Sequence, residues 1–452
     1  MRKNFIFDKP EIAFVILALV FGLIFVFTNL PLKTVDESSH FYKSFDISQG
    51  HLIPKSQYTQ IPKSFFHLQN FSHNETTNLS KLQYYFSQPL IINDTVEWNI
   101  SNIAIYPPLP YLASGFIIFL GSLFNFSPLL LMYLGRLVNL LVYITIVYFA
   151  IKIIPVHKYV LLLIALMPMT LYEGSSLSAD SLNLAQSFLT ISFFLHLTLV
   201  KDKIHSKDIL TSLILVFALI FSKQAYAIMA LLFLMIPKEK FKNNIKKLAS
   251  FLIISLPSLI SIIIWNSLFK STYSSFSPDL ISPDYNIQFI ISNSLNFPTI
   301  LINTLICTFP GYITTFVGIF RENMHYLHLY LIYLYCVVLV IVSLLDNSKY
   351  RLSFKQKIIP LLIFSLVSLS IFLFEFITYT PIGCNFIAGV QGRYFTPVVP
   401  LLLLFFHNTE LFNYLSTKLN SGLLMKKSLM ILYLFIIIYL TISSFVIIGV
   451  YR

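Results

Sequence analysis

Long apolar blocks alternate with short polar clusters along the whole chain. The blocks run Ile12–Leu30, Pro128–Ile151, Lys158–Glu173, Leu182–Val200, Ile209–Ile236, Leu248–Phe269, Tyr326–Leu345, Ile358–Thr378, Pro397–Leu411 and Leu429–Val450. Most are close to the roughly 20 residues that carry a helix across a bilayer. Stretches such as Ile12–Phe27 are nearly unbroken, whereas a β-barrel strand would alternate apolar and polar residues. Only a helix satisfies its own backbone in such a stretch. The pattern therefore predicts an all-α polytopic membrane protein forming one integral membrane domain, residues 1–452.

Composition agrees: 56% of the 452 residues are hydrophobic and 11% charged, which excludes an ordinary soluble domain. The net charge of +12 raises the question of a nucleic-acid partner, and the placement of the charges answers it. Twenty of the 31 basic residues fall in six short clusters between apolar blocks, around Arg2–Lys9, Lys152–Lys158, Lys201–Lys207, Lys238–Lys247, Lys349–Lys357 and Lys418–Lys427. Such clusters mark cytoplasmic loops. The charge encodes topology, and no nucleic-acid partner is expected. Three cysteines, Cys307, Cys336 and Cys384, outline no disulfide framework or metal knuckle.

With the clusters placed inside, parity predicts about eleven crossings, a cytoplasmic N-terminus, no cleaved signal peptide, and Tyr451–Arg452 facing outward. The hairpin Ile209–Ile236 has halves too short for an ordinary crossing, so its tip, Ser222-Lys223-Gln224, is expected to be recessed. Two apolar segments are expected not to cross: Tyr111–Phe126, within an interfacial stretch 106–126, is assigned to the outer interface, and Pro298–Phe320, interrupted by Pro310 and Gly311, is re-entrant or interfacial. The extracytoplasmic loop 31–105 is long enough to be functional or disordered, and its middle, around His67–Ser80, reads as flexible. Its Asn-x-Ser/Thr sequons at Asn70, Asn74, Asn78, Asn93 and Asn99 read as compositional chance. The remaining division is a core, 1–247, and C-terminal helices, 248–452, with outer loops 270–325 and 379–396.

Polar residues that are expensive near a bilayer then become informative. Asp36-Glu37 with His40 follows the first span; the plain alternative is a solvated N-cap. Asp180 and Asn183 lie at the junction of two spans, after Glu173 and a Ser-rich turn, with capping again the alternative. Lys223 and Gln224 occupy the recessed tip, and a Lys there either pairs or snorkels. Gln391, Arg393 and Tyr394 lie in Gly389-Val-Gln-Gly-Arg-Tyr394, where an Arg can hold a phosphate or anchor the interface. Arg136, inside a span, either binds phosphate or pairs with an acid. His196, His325, His328 and the other scattered histidines read as packing residues. All the outward motifs share one membrane face although they span most of the chain. No Walker A or GxGxxG pattern is present.

Six collinear motifs carry a resemblance: Asp36-Glu-x-x-His40, Tyr106-Pro-Pro-Leu-Pro-Tyr111, Leu134-Gly-Arg-Leu137, Ser176-Leu-Ser-Ala-Asp180, Ser222-Lys-Gln-Ala-Tyr226 and Gly389-Val-Gln-Gly-Arg-Tyr394. Over nearly the whole chain these resemble a bacterial multi-pass membrane family of unknown function. That family in turn resembles the GT-C superfamily of glycosyltransferases, which includes protein mannosyltransferases and oligosaccharyltransferases. The resemblance implies an acidic motif in the first outer loop, interfacial helices, a Pro-Pro segment and a second Asp between later spans. Val35 departs from the Pro expected before the acidic pair.

The resemblance further implies an inverting transfer of sugar from a polyprenyl-phosphate donor to an extracytoplasmic cell-envelope glycan or teichoic-acid acceptor. Asp36 would be the general base, with Glu37 and His40 orienting it or the acceptor. Tyr106, Arg136, Asp180, Asn183, Lys223, Gln224, Gln391, Arg393 and Tyr394 would line the substrate site. No cofactor is assigned, and a divalent metal on Asp36 and Asp180 is left open. The expected location is the plasma membrane, with the site outside. A transporter or flippase for a lipid-linked glycan, or a glycan polymerase or ligase, are the other readings.

Overall fold

The structure is a computed structural model that describes residues 9–53, 56–73, 79–101, 103–104, 106–269, 280–293, 295–320, 325–346, 348–418 and 421–448. Asn74, Asn78, Arg2, Lys3 and Tyr451–Arg452 lie outside the described residues.

The first crossing, α1 (Pro10–Thr28), begins with a proline in its first turn, where the missing N–H is no loss. The long first loop follows, and its described residues are largely ordered into elements. It carries α2 (Glu37–Ser48), β1 (Tyr58–Pro62), α3 (Phe66–His73), α4 (Leu79–Ser87) and β2 (Thr95–Asn99), with β1 and β2 paired antiparallel. Tyr42, Phe65 and Trp98 pack ring on ring beneath that hairpin. Residues 74–78 of the segment His67–Ser80, expected to be flexible, lie outside the described residues; in its described part Leu68 is buried and Gln69 donates to Tyr42. A short 3-10 turn, Leu109–Tyr111, and α5 (Leu112–Leu123) occupy the segment expected to be interfacial.

Four helices follow: α6 (Pro128–Ile153), α7 (Lys158–Ala165), α8 (Pro168–Gly174) and α9 (Ala179–Leu199). The predicted crossing Lys158–Glu173 is split because Pro168 forces Met167 into an extended conformation. Next come α10 (Ser206–Ile220), a 3-10 stretch Gln224–Met235, and α11 (Asn244–Phe269). Fifteen α residues rise about 22 Å, and twelve 3-10 residues about 24 Å. The hairpin therefore runs from one end of the molecule to the other and back. The chain continues through α12 (Pro283–Ser292), α13 (Asn296–Val317), a small β3–β4 ribbon (Ile319–Phe320, His325–Tyr326), α14 (Leu329–Leu344) and α15 (Phe354–Thr378). It ends in a 3-10 turn Gly392–Phe395, α16 (Val399–Leu403), a 3-10 turn Leu404–Phe406, α17 (Thr409–Lys418) and α18 (Ser421–Ile448).

Among the described residues, seven helices are long and apolar enough to cross a membrane: α1, α6, α9, α11, α13, α15 and α18. The other predicted crossings are shorter or broken pieces. α13 has span length, yet its contacts place it across one end. Phe297 and Tyr312, fifteen positions apart on α13, touch Phe376 and Phe372, only four apart on α15. The two helices therefore cross steeply. The core is built where α6 packs on α1, α5 and α9, and α15 packs on the 3-10 stretch after α10. Among the described residues, the basic groups around Lys152–Lys158, Lys201–Lys207, Lys238–Lys247 and Lys349–Arg351 gather at one end, the "basic end", and Asp36, Asp180, Lys223 and Arg393 at the opposite one.

Candidate functional site

Each residue of the recess is presented by the end of an element. Asp36 occupies the N-cap position of α2 in a left-handed conformation (φ 59°), and its side chain makes no cap hydrogen bond. Its carboxylate is 45% exposed and lies 3.9 Å from Arg393 Nη2. Asp180 sits in the first turn of α9, where the helix dipole favours an anion. The cap there is Ser178, whose hydroxyl accepts from the Asp180 N–H, so the carboxylate is directed to cations. Lys223 Nζ donates to Asp180 Oδ1 at 3.0 Å from the hairpin tip. Asp36 thus stands at an N-cap position without a side-chain cap bond, Ser178 caps α9 while Asp180 pairs, and the pairing alternative holds for Lys223.

Arg393 is the hub. It is buried, with Nη1 2.5 Å from Glu173 Oε1 and 3.9 Å from Asp180 Oδ2. Gln391 Oε1 accepts from its Nε at 2.8 Å. The turn that delivers it depends on Gly392, where a Cβ would overlap the Tyr312 carbonyl oxygen of α13. Because the guanidinium stands between Asp36 and Asp180, positive charge is already supplied where a divalent ion was left open. The Lys223 ammonium lies over the rings of Tyr394 (4.8 Å) and Tyr106 (5.7 Å). Tyr226 Oη donates to the Tyr394 carbonyl at 2.6 Å. Asn183, one turn past Asp180, is fully buried on α9.

His40 is buried, hydrogen-bonded through Nδ1 to Tyr111 Oη at 2.9 Å and stacked on that ring. Burial pushes its pKa down to about 4, against the opposing pull of Asp36 and Asp180. It is therefore a neutral imidazole at physiological pH.

Two predicted site residues are corrected. Glu37 and Arg136 are fully buried and bind each other bidentately, Nη2 to Oε2 at 2.6 Å and Nε to Oε1 at 2.8 Å. The remaining Arg136 donors go to the carbonyls of Val26, Asn29 and Leu30, and Leu177 N–H donates to Glu37. All five guanidinium N–H groups are used, so Arg136 has none left for a phosphate. One step along α2 turns a side chain by about 100°, which sends Glu37 inward while Asp36 stays at the recess. The pair fastens the end of α1 to α2, α6 and the turn before α9.

Four contributors carried no role in the sequence reading. Glu173 anchors Arg393. Tyr111 holds His40. Lys43 lies buried on the face of α2 that carries His40, and donates to the carbonyls of Ile103, Ala104 and Tyr106. Burial draws its pKa down to about 7, with Asp46 opposing. The spacing 36, 40, 43 on one helical face was the available signal. Glu375, in α15, borders a cavity of about 290 Å³ lined also by Tyr106, Lys223, Tyr394, Ile262, Ile371 and Phe374. A carboxylate inside a span is itself a functional signal.

The fold and recess define the class: an all-α, multi-pass membrane protein with charged groups from both halves of the chain gathered at one end. It belongs to the family of predicted membrane proteins DUF2142, whose model matches residues 19–402. No curated protein and no solved structure matches the chain.

Proposed function

We propose that this protein transfers a sugar from a polyprenyl-phosphate donor to an envelope glycan or teichoic-acid acceptor outside the plasma membrane, with inversion. The observation that carries the reading is the recess itself. Three carboxylates and two cations from five remote segments lie within hydrogen-bonding or ion-pair reach of one another, beside a largely apolar cavity. Such a site suits a substrate with a charged head and a lipid tail.

Asp36, the most exposed of the recess acids, takes the proton of an acceptor hydroxyl. The hydroxyl oxygen bonds to the anomeric carbon as the bond from that carbon to the phosphate oxygen breaks. The phosphate departs as an anion and needs positive charge instead of a proton, which Lys223 and Arg393 supply. Glu173 and Asp180 hold the two cations in place, and neutral His40 with Tyr111 and Lys43 shapes the wall. Lys223 borders the apolar cavity, so the lipid tail is assigned there.

The test uses cells lacking the protein, complemented with wild type, Asp36→Asn or Asp180→Asn, with envelope glycan composition and polyprenyl-phosphate sugars both quantified. Loss of one sugar from an envelope polymer, accumulation of its lipid-linked form outside, and no rescue by Asp36→Asn are expected. Accumulation only on the cytoplasmic leaflet with full rescue by both variants would replace transfer with translocation.

A further inference from the structure

Three segments meet at the basic end, far from the recess. They are the turn between α6 and α7 with His157, the chain leaving α14 with Asp346, and the chain after Leu404–Phe406 with His407. All three side chains are buried. One ring nitrogen from each histidine and one Asp346 oxygen lie within 4.8 Å of one another. His407 Nε2 is 3.5 Å from Asp346 Oδ2, and the two imidazole rings are 5.1 Å apart. His157 is held in the left-handed region (φ 59°), a strained conformation for a residue with a side chain.

Hydrogen bonding sets the state of His157. Its Nε2 lies 3.2 Å from the Ser343 carbonyl oxygen, which can only accept, so Nε2 carries the proton and Nδ1 the lone pair. Nδ1 is buried and has no hydrogen-bond partner among the described residues. A buried acceptor left without a donor is costly. A ring whose N–H is directed to a backbone carbonyl while its other nitrogen stays bare is the outer-shell arrangement that orients metal-bound histidines. Asp346 is oriented as well, since its Oδ2 accepts the His157 backbone N–H at 2.9 Å. Ser348 Oγ lies 2.9 Å from His407 Nε2.

We propose that His157, Asp346 and His407 bind one divalent transition-metal ion, of which zinc matches best, and that the ion clamps the three segments at the basic end. Two imidazoles and one carboxylate are borderline donors of the type zinc takes, and three protein ligands is the number that leaves one position for water or a further ligand. Bonds of about 2.0–2.2 Å set tetrahedral ligand atoms roughly 3.4 Å apart. The cluster, whose ligand atoms lie within 4.8 Å of one another, therefore closes by at most about 1.4 Å on loading, a distance within side-chain rotation. The ion joins parts of the chain 189 residues apart in sequence and stands independently of the transfer chemistry.

The test uses the full chain, purified in detergent without a histidine tag, stripped with a chelator and titrated with Zn²⁺ alone against a chromophoric competitor. One equivalent bound, a higher melting temperature on loading, and tetrahedral visible absorption with Co²⁺ are expected. His157→Asn, which tolerates the left-handed backbone, Asp346→Asn and His407→Gln should each weaken binding at least tenfold. Absence of stoichiometric Zn²⁺ uptake and of any melting shift in the stripped wild type would overturn the proposal. So would wild-type affinity in all three variants. Where a variant does not fold, the strip-and-reload measurement on the wild type decides.

Discussion

The adjacent acids Asp36 and Glu37 offer a sharp test, because the structure gives them opposite tasks. Glu37→Gln removes the anion facing a fully buried guanidinium, whose remaining bonds all go to backbone carbonyls. Breaking one side of a buried pair costs roughly 3–5 kcal/mol, since the other charge is left uncompensated. Arg136→Met leaves a buried carboxylate and three stranded carbonyls and should cost at least as much. The double variant Glu37→Gln/Arg136→Met removes both charges, so its loss should fall well short of the sum of the singles. Asp36→Asn touches a half-exposed group 3.9 Å from its partner and should change stability by less than about 1 kcal/mol. The assay is thermal unfolding of detergent-purified protein followed by size-exclusion chromatography, run beside the complementation experiment. Asp36→Asn should melt like wild type and fail to complement, while Glu37→Gln should melt several degrees lower. If Glu37→Gln melted with the wild type and abolished complementation, the assignment of Glu37 to fastening would be refuted.

Three other outcomes follow. Gly392→Ala must move the Arg393 turn away from α13, since the obstructing atom is backbone; a loss of about 1–3 kcal/mol and failed complementation are expected, and wild-type behaviour in both would contradict the close approach. His40 titrates near 4 when folded and near 6.5 when unfolded, so the unfolded chain binds more protons between those values. Stability should therefore fall as pH drops from 6.5 through 4, by at most roughly 3 kcal/mol; His40→Gln should flatten the melting profile there, and equal slopes would remove His40 as the titrating group. Asp180→Asn and Lys223→Met should couple in a double-mutant cycle by about 1 kcal/mol or more; simple additivity would show that their 3.0 Å contact carries no weight.

Much of this architecture was legible in the sequence, for a physical reason. An unbroken apolar block in a bilayer has only the helix to satisfy its backbone, so α1, α6, α9, α11, α15 and α18 follow from hydropathy. The gathering of Asp36, Asp180, Lys223 and Arg393 at one end was readable too, because the spacing of basic clusters already placed their segments on a common face. Tertiary packing decided the rest. Hydropathy could not tell that α13 crosses α15 steeply, because that depends on what the helices pack against, whereas the split at Pro168 is local proline chemistry that hydropathy alone does not register. Composition could not tell Asp36 from Glu37; that followed from the facing of α2 and from Arg136, 99 residues away. Lys43, Glu375 and the His157–Asp346–His407 cluster acquire their meaning from partners remote in the chain. Local sequence sets which segments can cross a membrane, while only the folded chain sets which buried charge meets which.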